Sequence, residues 1–381
     1  LRKAFERFQS VVRPAYSEFL RDNAEWLEDY ALYMAVKDSF EGHSWLEWDK
    51  DIKRRKEEAM AHYKEELKDE IAFYCFQQYE FKKQWLDLKS YANQKGIQIV
   101  GDIPIYVALD SADTWANKEL FRLDGKGIPT LVAGCPPDGF SRTGQLWGNP
   151  LYNWEYHKST GYKWWIKRLR HCYELYDIVR IDHFRGFDEY YAIPFGDKTA
   201  EFGHWEKGPG YDIFDTMKRT LGDKPVIAED LGFLTDSVIE LVKKTGFPGM
   251  KVLQFAFDPR EESNYLPHTY IKNCVVYTGT HDNDTTRSWY GQMDSASRDY
   301  ADRYLNITDK EHVTKEFVRA ALASVADTAI IPMQDYLELG SEARMNTPST
   351  LGDNWKWRMK KEVCGMELAR SIRELSRLYG R

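Results

Sequence analysis

Carboxylates close four short hydrophobic runs in this chain, at residues 97–102, 178–182, 226–230 and 275–282, where Asp102, Asp182, Glu229 and Asp282 stand at or near the last position. Runs rich in Val and Ile that each end on a charge are what parallel strands look like when their carboxyl ends build one active site. Side chains alternate along a strand, so Arg180 and Asp182 share a side and Ile181 takes the other. A guanidinium beside Asp182 favours its ionised form, as a nucleophile or an electrostatic stabiliser requires. Glu229, among other carboxylates and low-dielectric walls, would instead hold a proton and donate it. Such a pair fits cleavage of a glycosidic bond with retention, which sets the two carboxyl groups about 5–5.5 Å apart. Asp282 could bind sugar hydroxyls as the ring flattens toward an oxocarbenium ion, a contact that tightens in the transition state.

The elements that must position these acids can be read from periodicity. Residues 1–65 are charged and helical without a strand run, and are expected to form a helical subdomain. From Ile71, apolar residues recur at helical spacing until Gly96, after which Ile97 opens the first strand. Further strands are expected at 178–182, 226–230, 250–257, 275–282 and 329–332, with a helix around 162–175. Six strands alternating with helices predict an α/β chain of the (β/α)8 TIM type, with residues 66–381 as its catalytic part. Eight strands are the rule for such barrels, so two are expected ahead of Leu1, a residue that is not the initiating Met. Residues 133–151 are too rich in Gly and Pro for helix or strand interior and are expected to be a long functional loop.

Composition narrows the partners. Sixty acidic against 53 basic residues leave a net charge of −7, too mild and too mixed for a polyanion ligand, so nucleic acid is not expected. No apolar stretch approaches the roughly 20 residues of a membrane span, and the first residues, Leu1 to Glu6, carry no signal-peptide h-region. Five scattered cysteines without CxxC spacing indicate neither a disulfide framework nor a zinc site, and suit a reducing cytoplasm. The Asp282-Asn283-Asp284 stretch lacks the Gly and Glu of a calcium loop, and His204, His268 and His312 are isolated, so no metal is expected. No phosphate-binding glycine motif accompanies a strand, so no cofactor is expected. Aromatic residues make up 15% of the chain, including 13 Trp and 24 Tyr. Most single Trp residues would be core, yet so many beside carboxylates lean toward carbohydrate, whose C–H faces pack on aromatic planes.

Certain words in the chain are more specific. Val179-Arg180-Ile181-Asp182-His183-Phe184-Arg185-Gly186, Ala228-Glu229-Asp230-Leu231-Gly232 and Thr280-His281-Asp282-Asn283-Asp284-Thr285 closely resemble the three catalytic segments of the 4-α-glucanotransferases called amylomaltases or disproportionating enzymes, glycoside hydrolase family 77. The resemblance extends to 101–107, to the 136–152 segment and to 339–346. It implies that Asp182 is the nucleophile, Glu229 the general acid/base and Asp282 the third carboxylate, which holds the distorted sugar. It also implies that Arg180 and His281 surround the donor sugar with Asp102, and that Asp138, Phe140, Gln145 and Trp147 belong to a mobile segment over the acceptor subsites. Asp258 and Asn346 match sugar-contacting positions. Maltooligosaccharides and α-1,4-glucans are the implied substrates, handled by a monomer or weak homo-oligomer. The family's first two barrel strands and a Tyr-bearing substrate segment have no counterpart here, so the chain resembles its last three quarters.

Transfer needs an acceptor hydroxyl to outcompete water, which requires a positioned acceptor and a site that keeps water unproductive. A Trp-bearing lid over 133–151 could do both. An α-amylase-like hydrolase with the same carboxylates, and a catalytically silent glucan-binding protein, remain the rival readings.

Overall fold

The computed structural model describes residues 1–11, 13–137, 141–232 and 234–381. They divide into two compact units, one of 1–226 with 236–245 and the other of 227–235 with 246–381.

The first unit opens with helices. Pro14, at the first helical turn where its missing N–H costs nothing, starts the helix Pro14–Ser39, which packs on the helix Lys68–Gln94. Phe19, Leu27 and Ala31 meet Cys75 between them. A second cluster gathers Tyr33, Trp45, Trp48, Ile52 and Trp115. The Trp45 indole N–H donates to the carbonyl of Leu109 at 2.7 Å, and that of Trp115 to Ile52 at 3.1 Å. Fully buried rings can be tolerated because their polar handles find acceptors. Much of the aromatic excess is scaffold: Trp45, Trp115 and Trp165 are each 0% exposed, although the Trp165 indole N–H, unlike the other two, finds no acceptor among the described residues.

Strand β1 (Val100–Pro104) follows, then β2 (Leu131–Cys135), β3 (Gln145–Pro150), β4 (Ile178–Asp182), β5 (Glu189–Pro194) and β6 (His204–Lys207). β7 (Val226–Ala228) crosses the unit boundary, and β8 (Gly249–Val252), β9 (Cys274–Tyr277) and β10 (Thr328–Ile330) lie in the second unit. Six strands run in the order β1-β4-β7-β8-β9-β10. The pairs β1/β4, β7/β8, β8/β9 and β9/β10 are parallel. Helices such as Lys163–Leu175, Asp212–Leu221, Asp236–Thr245 and Val313–Ala323 precede successive strands. This is the connectivity of a (β/α)8 chain with six of its strands, each where the hydrophobic runs predict one. The edges differ: β1 begins at Val100 rather than Ile97, and β8 gives way to a 3₁₀ turn at Leu253–Phe255 instead of continuing to 257.

The remaining four strands form an antiparallel sheet, β3-β2-β5-β6. Two of them correct the expectation for 133–151, because β2 and β3 pair as antiparallel strands where a structureless loop was expected. Gly134 makes the pairing possible, since a Cβ there would lie 2.1 Å from the carbonyl oxygen of Gln145. In that position glycine marks a close backbone approach and no longer a break in structure.

In the second unit Phe257, Val276, Tyr290, Phe317 and Ala321 form a buried core. Asp294 caps the helix Ser295–Leu305 by accepting from the amides of Ala296 and Ser297, both at 3.0 Å.

Candidate active site

In the first unit the register of β1 and β4 sets Asp102 opposite Arg180 and Pro104 opposite Asp182. Arg180 Nη1 lies 2.7 Å from both oxygens of Asp102 and 3.1 Å from Oδ1 of Asp182. Arg180 is buried, at 7% exposure. A cation that buried is tolerable only when paired, and both carboxylates favour the charge on Arg180. The two carboxylates remain accessible, at 40% and 42% side-chain exposure, so this cluster turns negative charge outward from a buried positive centre.

Next to Asp182, His183 adopts a left-handed backbone conformation at φ 52°, uncommon outside glycine and frequent at functional sites. Burial, reinforced by the charge of Arg185, pushes its imidazole down to about 3, so it is neutral at pH 7. Trp147 meets this ring edge-on with centroids 4.7 Å apart. The Trp147 indole N–H donates to Gln145 Oε1 at 3.1 Å, and Asn149 Nδ2 donates to the carbonyl of Val107 at 2.8 Å. Gln145 and Trp147 stand two apart on β3, whose pairing with β2 shifts register between Leu146 and Pro150.

In the second unit Glu229 follows β7 directly, and its Oε1 accepts from the amide of Leu231 at 2.9 Å. Its neighbour Asp230 accepts from the amide of Met250 at 2.7 Å, and burial raises its proton affinity. A Cβ on Gly249 would stand 2.3 Å from Asp230 Oδ2, so glycine is what lets this carboxyl reach β8. Asp230 thereby holds the turn on which Glu229 sits.

Asp282 lies in the turn after β9. Its Oδ1 accepts from Asn346 Nδ2 at 2.6 Å, and Oδ2 is 3.4 Å from His281 Nε2. Asn346 also donates its amide to the carbonyl of His281 at 3.1 Å. Arg344 closes the group, giving one hydrogen bond to the carbonyl of Asp282 at 2.7 Å and another to that of Asn346 at 2.9 Å. Of the residues singled out in the sequence, His281, Asp282 and Asn346 thus come together in this unit, as do Asp102, Arg180 and Asp182 in the other. Asp258 does not join them: Arg260 grips it from its side chain and amide at 2.5–3.0 Å and draws it down to about 2. Asp138 and Phe140 lie outside the described residues. Among the described residues no group of three His, Cys, Asp or Glu could hold a metal ion.

A family profile described as 4-alpha-glucanotransferase matches residues 1–364. The chain belongs to that family. Two 4-alpha-glucanotransferases, from Clostridium butyricum and Streptococcus pneumoniae, are 50% and 52% identical to the whole of this chain, which spans 79% and 76% of their lengths. The amylomaltase of Streptococcus agalactiae, solved in complex with acarbose, superposes with a TM-score of 0.96 at 42% identity, covering 100% of this chain and 77% of that one. The amylomaltase of Corynebacterium glutamicum, at 17% identity and a TM-score of 0.74, shares the fold over 98% of this chain and 57% of its own.

For a 4-alpha-glucanotransferase, two neighbours of Asp282 were missed in the sequence. Arg344 sits inside the 339–346 word, of which only Asn346 was singled out. Trp355, 52% exposed and at φ 62°, lies with its ring centroid 5.0 Å from that of His281. Its signal was the Trp355-Lys356-Trp357-Arg358 stretch, two indoles in an otherwise polar segment.

Proposed function

We propose that the chain is a retaining 4-α-glucanotransferase acting on maltooligosaccharides and α-1,4-glucans. Asp182 attacks the anomeric carbon as Glu229 gives its proton to the departing 4-oxygen, so the glycosidic C–O bond breaks as an ester to Asp182 forms. The 4-hydroxyl of a second glucan then attacks the same carbon, loses its proton to Glu229 and frees Asp182. Asp282 binds the flattened ring while positive charge develops on it.

One observation carries this reading: Asp182, within the region matched by the family, is ion-paired to a buried Arg180. That contact keeps the nucleophile charged, and the surplus of carboxylates over cations in the cluster suits an oxocarbenium-like transition state. Asp102, Arg180, His281 and Asn346 are assigned to the donor sugar, and Gln145 and Trp147 to the acceptor side together with Asp138 and Phe140. Asp258 is retained as a sugar contact on the motif alone. Residues 1–65 serve as a supporting helical subdomain and 66–381 as the catalytic part. The relatives' shared name and the acarbose complex of the Streptococcus agalactiae enzyme support the substrate class. The chain is read as a cytoplasmic enzyme, monomeric or weakly self-associating and free of cofactors, and no helix among the described residues is long and apolar enough to cross a membrane.

Maltotriose is the test. Wild type should yield glucose together with longer oligomers, and Asp182→Asn or Glu229→Gln should lower that rate by on the order of 10⁴-fold or more. Reducing ends that accumulate without longer products would favour a hydrolase. Turnover at background in wild type and in both variants, with binding retained, would leave only a glucan-binding protein.

A further inference from the structure

Beneath the turn that bears His281 and Asp282 lies a buried polar cluster with no part in the chemistry described so far. At its centre is Asp335, 3% exposed, on the short helix Met333–Tyr336. Its Oδ2 accepts from the hydroxyls of Thr278, at 2.5 Å, and Thr286, at 2.7 Å. Its Oδ1 accepts from the amide of Thr286 at 3.0 Å. Thr278 and Thr286, both 0% exposed, are the two feet of the turn 279–285: one follows β9, the other opens the helix Thr286–Gln292. A single carboxylate therefore joins both ends of the segment that carries Asp282.

The rest of the turn is braced from the same side. Gln254 Nε2 donates to the carbonyl of Asp284 at 3.0 Å and lies 3.4 Å from the hydroxyl of Thr286. Inside the turn, Asn283 Oδ1 accepts from the amide and hydroxyl of Thr280 at 2.9 and 2.8 Å. The three groups that Asp335 engages carry no formal charge. Burial accordingly raises its proton affinity, and the hydrogen bonds from Thr278 and Thr286 oppose the rise. An apolar side chain would fill such a place at lower cost, so a carboxyl here is explained by what it holds.

We propose that Asp335 is a positioning residue for glucosyl transfer, which clamps Thr278 and Thr286 so that Asp282 and His281 stand where the distorted sugar needs them. The inference rests on the assignment of Asp282 to the reacting sugar. Misplacing a catalytic group by about 1 Å can cost on the order of 100-fold in rate, so loss of the clamp should be read in turnover before it is read in binding.

The experiment uses the full chain with maltotriose, recording kcat, KM and the thermal midpoint. Asp335→Ala should lose on the order of 100-fold in kcat with KM within about threefold. Asp335→Asn, which can still accept from the Thr286 amide and donate to one hydroxyl, should recover on the order of tenfold of that loss. A maltosyl fluoride donor separates this role from acid catalysis: fluoride leaves without a proton, so glycosylation should return in Glu229→Gln and stay slow in Asp335→Ala. A lower midpoint with unchanged kcat in the Asp335 variants would make the residue merely structural and overturn the proposal. If Asp335→Ala does not fold, Thr278→Val and Thr286→Val decide, since each deletes one hydroxyl at constant shape. A loss of about tenfold or more in kcat at an unchanged midpoint supports the clamp, and wild-type kcat in both refutes it. Wild type that makes no longer oligomers would overturn the transferase reading itself, together with this inference.

Discussion

Arg180 gathers two carboxylates on one nitrogen, and this governs what the first unit can do. Its burial means that the positive charge is held by Asp102 and Asp182 more than by water, so each contact is stronger than a surface ion pair. Replacing it by leucine should leave two like charges facing each other over an apolar stem. Loss of one charge-assisted hydrogen bond is worth roughly 3 kcal/mol at the upper end, so Arg180→Leu should lower kcat/KM by on the order of 100-fold. The acid limb of the rate profile should move to higher pH, because Asp182 would then take up its proton more readily. A rate profile from pH 4 to 8 checks both, and an acid limb that stays in place would argue against the ion pair's role. The pairing of Arg180 with Asp182 was legible in the chain because strand alternation puts positions two apart on one side. Asp230 was not legible: its tie to Met250 depends on which strand lies beside β7, and no local spacing encodes that.

At the scale of elements, the parallel strands were readable and the antiparallel sheet was not. Strands such as β7 and β9 are uninterrupted apolar runs because both faces are covered, and such runs bounded by turns stand out in the sequence. β2 and β3 contain Gly134, Gly148 and Pro150, residues that disfavour strands on their own and are accommodated only once a partner is present. Context decided there against propensity. Within β3, Trp147 rests against His183 and Gln145, which places the indole on a paired strand. Trp147→Ala should raise the ratio of hydrolysis to transfer with maltotriose severalfold, as removing an aromatic wall admits water. The comparison to make is free reducing ends against oligomers longer than the substrate. An unchanged ratio would place Trp147 outside the acceptor path.

For the whole molecule, the cysteines offer a probe of both units at once. Cys364 is an exposed thiol, and Cys75, Cys172 and Cys274 are buried ones. Burial pushes Cys75 and Cys274 up to about 11, which adds a shortage of thiolate to the lack of access. A disulfide reagent should therefore modify Cys364 at once, and the buried three on the order of 1,000-fold more slowly, at the rate set by opening of the fold. Cys75 and Cys172 report the first unit and Cys274 the second, so peptide mapping over time follows each separately. Modification of Cys75 or Cys274 at the rate of Cys364 would contradict the burial described.

What the chain alone determined were the features written locally: six apolar runs, the acids at their ends, the helices between them and the words that mark the family. Periodicity and motif are properties of neighbouring residues, so they survive without knowledge of the fold. Tertiary structure decided which of those acids share a cation, that glycine-rich segments pair as strands, and that Asp335 grips a turn from well outside it. Each depends on groups distant in sequence reaching hydrogen-bonding range, and only the packing of the strands and helices that carry them sets those distances.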